Sequence, residues 1–276
     1  MSAIEDLTPV LPVPATDVDE TDRQFATTLA RGLEVLRCFT AAEPILGNKE
    51  ISMRAGLPKP TVSRMTYTLT CLGYLRYLPW AGKYGKYELG PAVLSIGYPL
   101  LANLGVRQVA KVPMRELAEY SHGWVTMGMR ERLNMVYVES VRSKEVLKSK
   151  ADIGQTFPIA QSAMGRAYLA SLPASERESL INQMKVKMPE IWKKCAGDVE
   201  EALVDFRTRG FCLHHGAWNP HVHTVAVPMR RVRDEDTVVF NCVVPANTIK
   251  RGQLESDLGP RLIQMVRYIE DALAPS

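Results

Sequence analysis

Two short helical patterns separated by a turn, within residues 48–75, constrain the fold of this chain more than any other feature. The turn falls at residues 55–57, and Pro58 disfavours helix at the residue that precedes it. Pro60 then suits the first turn of the second helix, where no backbone N–H is needed. Helix, tight turn and helix is the arrangement of a helix-turn-helix unit, whose second helix enters the major groove of DNA.

The second helical pattern has one apolar face and one polar, cationic face. Val62, Met65, Leu69 and Leu72 recur at helical spacing and predict the buried face. No Asp or Glu occurs between residues 59 and 73. Arginine can read guanine edges, and hydroxyls and lysines can hold phosphate oxygens. An ordinary helical hairpin on a protein surface would show the same pattern, so these residues alone leave both interpretations open. The polar face carries Pro60, Ser63, Arg64, Tyr67 and Cys71.

Positive charge is concentrated around this candidate DNA-binding helix. The whole chain has 34 Lys or Arg and 30 Asp or Glu, a net charge of +4 that is too small to indicate nucleic acid by itself. Residues 25–90 contain nine bases and four acids, a difference of +5. Residues 1–24 are acidic and Pro-rich, which predicts a disordered tail. The distribution therefore favours phosphate contact more than the total charge does.

Two further elements complete a winged-helix pattern over residues 25–90. A first helix is predicted before Pro44 and Gly47, which would stop it. After the second helix of the turn unit, two aromatic runs joined by a Pro/Gly turn at residues 79–82 predict a β-hairpin, the wing. Lys83 and Lys86 on this hairpin could contact phosphate, or could only keep an exposed hairpin soluble. The predicted apolar face of the first helix is Phe25, Leu29, Leu33, Leu36 and Phe39.

The remainder of the chain predicts a linker helix and an α+β domain. Residues 91–105 are too apolar for a solvated linker, so this helix is expected to pack on a partner such as a second subunit. Residues 106–276 mix strand and helix patterns, which predicts an antiparallel sheet with flanking helices. Residues 151–158 are predicted to be a loop. Strands are predicted at 124–129, 135–140, 146–149, 211–214, 224–229 and 237–244, and helices at 109–120, 163–172, 175–184, 198–209 and 254–273.

A helix start at Ser162 is a candidate site for a small anion. Ser162 is predicted to cap a helix of small residues that begins at Ala163 and Met164. The free N–H groups at such a helix start bind carboxylates and other anions. The alternative is that Ser162 only caps the helix and the small residues only allow close packing.

Four histidines occur within residues 214–223, which invites a metal interpretation. His221 and His223 would share one face of a strand. The run contains no carboxylate or cysteine ligand, so histidines that bind no metal are the favoured interpretation. No cofactor is predicted.

Motifs for catalysis are lacking, since the chain has no GxSxG, HExxH or P-loop and no GxGxxG followed by an acid. A binding protein is therefore a more economical interpretation than an enzyme. The five cysteines are scattered without a CxxC, as expected for reduced thiols in a cytosolic protein. Neither a signal peptide nor a membrane-spanning stretch is evident, which predicts a cytoplasmic protein without membrane contact.

Several short motifs follow one another in a fixed order and spacing, and together they resemble the IclR family of bacterial transcriptional regulators. The resemblance covers nearly all of the chain from Phe25 onward. It implies a winged helix-turn-helix, a linker helix and a C-terminal, GAF-like effector domain, in dimers or tetramers that bind operator DNA and respond to small organic acids or aromatic catabolites. The motifs are LARGLEVL at 29–36, AGLPKPTVSR at 55–64, LGYL at 72–75, YELG at 87–90, MVYVE at 135–139, AMGRAYLA at 163–170 and VAVP at 225–228.

The resemblance also implies site residues. The family's DNA-reading helix matches residues 59–72, and its effector pocket uses backbone amides that match Ala163 and Met164. A family acidic position falls at or near His215, where this chain reads HHGAW, a departure that favours an anionic, aromatic effector. A frequent family cysteine falls at Thr224, and two small polar strand positions match Asn241 and Val243. The expected DNA contacts are Lys59, Thr61, Ser63, Arg64, Tyr67, Lys83 and Lys86. The expected effector contacts are Ser162, Ala163, Met164, His215, Trp218, Thr224 and Asn241.

The hypothesis of an effector-controlled DNA-binding regulator competes with a second one. In the second, the chain is a metal-responsive regulator or an enzyme that uses residues 214–223. A metal sensor would need metal for its DNA response, and an enzyme would turn its ligand over rather than only bind it.

Overall fold

The computed structural model describes residues 24–145, 152–216, 220–229 and 237–274. The chain divides into two compact units, and the boundary between them in the sequence falls between Asn103 and Leu104. Three predictions concern residues outside the described ranges. They are the tail up to residue 23, the strand at 146–149, and Trp218 as an effector contact.

The N-terminal unit is a winged helix followed by a helix of 12 residues. Its β-hairpin is antiparallel and pairs Leu75 with Leu89. Leu46 and Tyr87 exchange two backbone hydrogen bonds of 2.9 and 2.7 Å, which attach the hairpin to the segment that precedes the second helix. The elements are α1 (Thr27–Arg37), α2 (Asn48–Ala55), α3 (Lys59–Cys71), β1 (Leu75–Leu78), β2 (Lys86–Leu89) and α4 (Ala92–Asn103).

The prediction for the apolar face of the first helix is confirmed at Leu36 and Phe39, which belong to or pack against the core, and is wrong at Leu29 and Leu33. Leu29 and Leu33 are exposed, whereas Val35 is fully buried. The face towards α3 includes Gly32, where a Cβ would lie 3.8 Å from the sulfur of Met65. The helix also ends at Arg37, well before Pro44. Helical spacing identified an apolar stripe, but the position of α2 and α3 decides which stripe is covered. The core of this unit is Val35, Cys38, Phe39, Leu46, Ile51, Val62, Leu69 and Leu75.

The C-terminal unit is an antiparallel six-stranded sheet with helices, which confirms the predicted α+β class. The strand order is β5-β4-β3-β8-β7-β6, and every pairing is antiparallel. A short 3-10 turn, Ile159–Gln161, leads into α6, and a π-helical turn, Leu254–Leu258, leads into α9. The elements are α5 (Gly105–Ser121), β3 (Trp124–Glu131), β4 (Asn134–Arg142), β5 (Thr156–Pro158), α6 (Ala163–Ser171), α7 (Ala174–Lys187), α8 (Pro189–Arg209), β6 (Cys212–His215), β7 (Val222–Pro228), β8 (Val238–Pro245) and α9 (Gly259–Leu273).

The two faces of this sheet carry different helices. Gly128 of β3 faces α6, because a Cβ there would lie 2.3 Å from the sulfur of Met164. Cys242 of β8 faces α5, where it lies in hydrogen-bonding contact with Ser121. Successive side chains of a strand point to opposite faces, so the register assigns each strand residue to the α6 face or to the α5 face.

Several boundaries predicted from the sequence differ from the structure in this unit: the helix predicted from residue 109 begins at Gly105, and residues 254–258 of the last predicted helix form the π-helical turn. The segment expected to be a loop at 151–158 contains β5, whose residues pair with β4 from Asn134 to Val136. The helix expected from residue 198 begins at Pro189, because that proline occupies the first helical position, where it needs no N–H partner. The short strand β5 has only three residues, too few for a periodic pattern to appear.

All five cysteines lie among the described residues and are free thiols. None of the helices in the described ranges combines the length and the apolar character that crossing a bilayer requires.

Candidate nucleic-acid interface and ligand site

The turn between α2 and α3 is fixed by a left-handed glycine and a side-chain hydrogen bond. Gly56 has φ +65°, a backbone conformation that favours glycine. The Ser52 hydroxyl donates to the carbonyl of Leu57 at 2.6 Å, across the turn. The turn therefore holds the start of α3 against α2, as a helix-turn-helix unit requires.

The buried face of α3 differs from its prediction at one position. Val62 and Leu69 are buried as expected, but Leu72 is 61% exposed because it follows the last residue of the helix. Thr66, which the prediction did not include in the buried face, is fully buried. Its hydroxyl lies 3.0 Å from the Val62 carbonyl and 3.3 Å from Asn48 Oδ1, which satisfies it and ties α3 to α2.

The opposite face of α3 is open. Lys59, Ser63, Arg64 and Tyr67 are exposed, and Thr61 is half-buried. The guanidinium of Arg64 forms no hydrogen bond or ion pair with any residue in the described ranges. The predicted contacts on α3 therefore lie on a surface that can meet DNA without first breaking an internal interaction.

The two lysines of the wing have different surroundings. Lys83 is exposed, and its ammonium lies 5.4 Å from the ring centroid of Tyr84. The ammonium of Lys86 lies 3.3 Å from Glu50 Oε1, while Glu50 Oε2 accepts a hydrogen bond of 2.8 Å from the Gly47 amide. Lys86 therefore holds the wing against α2, and Lys83 is the wing lysine with the open position.

The predicted cap at the start of α6 is confirmed. The Ser162 hydroxyl accepts a hydrogen bond of 3.0 Å from the Gly165 amide. Ala163 and Met164 follow it and are buried. The first amides of a helix have no acceptor within the helix, so this end of α6 is an electropositive position beside the sheet.

A buried polar group lies on the α6 face of the sheet. Thr126 of β3 and Asn241 of β8 are opposite each other in the register, and the Thr126 hydroxyl donates to the amide oxygen of Asn241. Tyr137 of β4 also contacts both side chains, and its burial raises the pKa of its phenol. Sequence reasoning included Asn241 but missed Thr126 and Tyr137, which appear in the sequence only as polar groups within otherwise apolar strands.

The register separates His215 from the other predicted effector contacts. Thr224 pairs with His214 and is followed on its own face by Ala226, which pairs with Asn241. His215 pairs with His223 and therefore points to the other face. There its Nε2 lies 3.4 Å from Glu255 Oε1. The sheet thus brings Thr224, Asn241 and His214 to the α6 face, and it does not bring His215 there.

His214 is a buried histidine with an unpaired ring nitrogen. It is 8% exposed, and its Nε2 has no hydrogen-bond partner among the described residues. Burial, followed by the nearby charge of Arg166, lowers the pKa of His214 from 6.5 to about 4. A cleft of about 350 Å³ opens beside it, where Arg166 and Asp198 form an ion pair of 2.7 Å.

The histidines of residues 214–223 do not converge on one point. His214 and His215 point to opposite faces, and the rings of His215 and His223 meet edge to face at a centroid distance of 5.5 Å. Among the described residues, no group of three or more His, Cys, Asp or Glu side chains is arranged to hold a metal ion.

Family models match both units of the chain. The IclR helix-turn-helix domain matches residues 28–79, and the C-terminal domain of the bacterial transcriptional regulator IclR matches residues 99–270. The chain belongs to the IclR family of bacterial transcriptional regulators. This family assignment confirms the resemblance seen in the sequence, and its N-terminal model is a helix-turn-helix domain of transcriptional regulators.

Similar proteins agree with the IclR assignment over nearly the full chain. The HTH-type transcriptional regulator TsaQ1/TsaQ2 from Comamonas testosteroni is 33% identical over 255 residues, which is 92% of this chain and 90% of that protein. A crystal structure of an IclR family transcriptional regulator from Brucella abortus is 44% identical, with a TM-score of 0.85, and the match covers 95% of this chain and 98% of that one.

A third similar protein matches this chain in fold, at low sequence identity. An IclR homologue from Microbacterium hydrocarbonoxydans, crystallised in complex with 4-hydroxybenzoate, is 21% identical with a TM-score of 0.66, and the match covers 89% of this chain and 98% of that one. These comparisons do not favour a metal-responsive regulator or an enzyme, because the three similar proteins are named as regulators or IclR homologues and for neither a metal nor an enzymatic activity.

Proposed function

We propose that this chain is a cytoplasmic, homo-oligomeric regulator that binds operator DNA through α3 and the wing, and whose C-terminal unit binds an aromatic acid. The observation that carries the proposal is the open, carboxylate-free face of α3 around Arg64. Arg64 is assigned to base edges, because a free guanidinium can donate two parallel hydrogen bonds to guanine. Lys59, Thr61, Ser63 and Tyr67 are assigned to phosphates and neighbouring bases, and Lys83 of the wing to phosphate.

A second copy of the chain is the proposed partner of α4. Each residue of α4 is at least partly exposed, and its large apolar side chains, Leu94, Ile96, Tyr98 and Leu100, are among the most exposed of the unit. An apolar helix of this kind is stable when another surface covers it. Two copies related by a two-fold axis would present two α3 helices to a pseudo-palindromic operator.

The proposed effector contacts are the start of α6 and the buried polar group beneath it. An aromatic carboxylate can place its charge at the amides of Ala163 and Met164, where the helix dipole favours an anion. The polar side chains of Thr126, Tyr137 and Asn241 can then receive a ring substituent such as a hydroxyl. The 4-hydroxybenzoate bound to the Microbacterium homologue has both groups, which supports this class of effector.

Effector and DNA must influence each other reciprocally if both bind the same oligomer. An effector that weakens operator binding by a given factor is itself bound more weakly, by the same factor, in the presence of operator. Calorimetric titration of the effector with and without operator measures this coupling directly.

Genomic fragment selection with the wild-type protein tests the DNA part of the proposal. Bound fragments are recovered at several salt concentrations and footprinted with DNase I. The expected result is a protected pseudo-palindrome shared by the recovered fragments. If no fragment is enriched at any salt concentration, the regulator proposal is wrong.

A variant pair tests the effector part. A panel of hydroxybenzoates and other aromatic acids is titrated by calorimetry against wild type, Asn241→Ala and His215→Ala. Asn241→Ala is expected to weaken binding of the best ligand by about tenfold or more, because a buried hydrogen-bond partner is lost. His215→Ala is the matched control, because its side chain lies on the other face of the sheet and pairs with Glu255. The opposite pattern, with His215 essential and Asn241 dispensable, would contradict the assigned site.

A further inference from the structure

The tip of the wing exposes two large aromatic side chains. Trp80 is 78% exposed and Tyr84 is 83% exposed, although tryptophan is on average one of the more buried residue types. Neither ring is covered by the winged helix to which it belongs. We propose that the wing tip is an apolar wedge that enters the minor groove and unstacks a base step, with Trp80 as the inserting side chain. This inference rests on the proposed DNA binding and adds a contact that deforms the operator.

Contacts within the wing close its tip. The Tyr77 hydroxyl donates to the carbonyl of Tyr84 at 3.2 Å, which closes the loop between the two strands. Gly85 has φ +69°, and a Cβ there would lie 2.2 Å from the Tyr77 oxygen, so only glycine allows this closure. Lys86 ties the base of the same loop to Glu50. A side chain presented on a rigid support loses little entropy on insertion, which favours a wedge over a flexible loop.

The charge around these rings selects nucleic acid as the partner. No Asp or Glu occurs from residue 79 to residue 87, whereas Lys83 and Lys86 both lie in this run. The exposed Lys83 is adjacent to the ring of Tyr84, so an aromatic surface and an open positive charge are presented together. Proteins that bend DNA through the minor groove combine these two features, with cations on the phosphates and an apolar side chain between base pairs.

The wedge predicts where the operator should deform. Pyrimidine–purine steps unstack most easily, so they should occur in the minor groove that flanks each α3 half-site. Removal of the wedge should leave the sequence preference of α3 in place while it reduces the bend. This separates the wedge from a wing that only neutralises phosphate, because a phosphate contact changes the salt dependence of binding and not the stacking of bases.

The experiment uses the full-length protein and the operator recovered with wild type. 2-Aminopurine is placed at the flanking pyrimidine–purine steps to report unstacking, and circularly permuted fragments report the bend. Trp80→Ala is compared with Trp80→Phe, which retains an apolar ring, and with Tyr268→Ala, which removes an exposed ring from the C-terminal unit. Circular dichroism and thermal unfolding verify that each variant is folded.

The expected result is that wild type and Trp80→Phe both increase 2-aminopurine fluorescence and bend the operator. Trp80→Ala should lose the fluorescence increase, reduce the bend and bind about tenfold more weakly, with an unchanged footprint. Tyr268→Ala should behave as wild type. If wild type binds its operator specifically but Trp80→Ala gives the same fluorescence, bend and affinity, the wedge is wrong and the proposed regulator stands. If wild type binds no DNA specifically, both are wrong.

Discussion

The ammonium of Lys86 on the wing lies 3.3 Å from the carboxylate of Glu50 on α2, so one of the two wing lysines already has a partner within its own unit. Glu50 also accepts the Gly47 amide, and this one carboxylate therefore joins the start of α2 to the wing. The sequence alone predicts Lys83 and Lys86 as equivalent phosphate contacts. The structure distinguishes a lysine that positions the wing from a lysine that is open to solvent.

This difference predicts unequal effects on the salt dependence of operator binding. Lys83→Gln should reduce the slope of log K against log salt by about 1 for each subunit, because one phosphate contact is lost. Lys86→Gln should change the slope less and should reduce the free energy of unfolding by less than about 1 kcal/mol, as expected for a partly exposed ion pair. Filter-binding titrations from low to high salt measure the slopes. Equal slope changes for the two variants would contradict the distinction.

Alanine substitution of two glycines, one at the start of α6 and one in α8 as the control, tests the packing of α6. A Cβ on Gly165 would lie 2.3 Å from the Ile159 carbonyl oxygen, a backbone atom that cannot rotate away. Gly165→Ala should therefore lower the free energy of unfolding by about 2 kcal/mol or more. Gly197, within α8, has no neighbour within 4 Å of its potential Cβ, so Gly197→Ala should raise it by about 0.5–1 kcal/mol. Urea unfolding measures both changes. An unchanged free energy of unfolding in Gly165→Ala would contradict the close approach of α6 to the 3-10 turn.

The buried His214 predicts that stability falls in mild acid. Burial lowers the pKa of His214 to about 4, whereas the unfolded chain takes up that proton near its ordinary value of 6.5. The folded state is thus disfavoured as pH falls from 6.5 towards 4, and about 2 kcal/mol of stability is lost by pH 5. His214→Gln should remove this part of the pH dependence, and His221→Gln, at an exposed position, should keep it. Urea unfolding at pH 7.5 and pH 5 measures the difference. If His214→Gln and wild type lose the same stability, another group is responsible.

The sequence predicted the elements that depend on local spacing and missed those that depend on neighbours. Pro58 and Gly56 identify the turn of the helix-turn-helix unit because their backbone preferences are local. Thr66 is buried in place of Leu72 because a hydroxyl can bond to the preceding turn and to Asn48, a contact invisible to an apolar pattern.

Long-range register explains the remaining differences at the ligand site. A strand pattern shows that His214 and His215 point to opposite faces, but it does not show which face meets α6. That choice follows from the pairing of β6 with β7 and of β7 with β8, which connects residues far apart in the chain. The pairings of β3 with β4 and with β8 bring Thr126, Tyr137 and Asn241 together, and no spacing in the sequence connects these three residues.

Operator affinity of Arg64→Ala is the most direct test of DNA reading by α3. Arg64 is exposed and has no side-chain partner in the described ranges, so its removal should leave the fold intact. Loss of a bidentate contact to guanine should cost about 1–3 kcal/mol, which is roughly 5- to 150-fold in affinity. Arg115→Ala, which removes an exposed arginine from the C-terminal unit, is the matched control and should bind as wild type does. A folded Arg64→Ala protein that binds the operator with wild-type affinity and the same sequence preference would contradict the account.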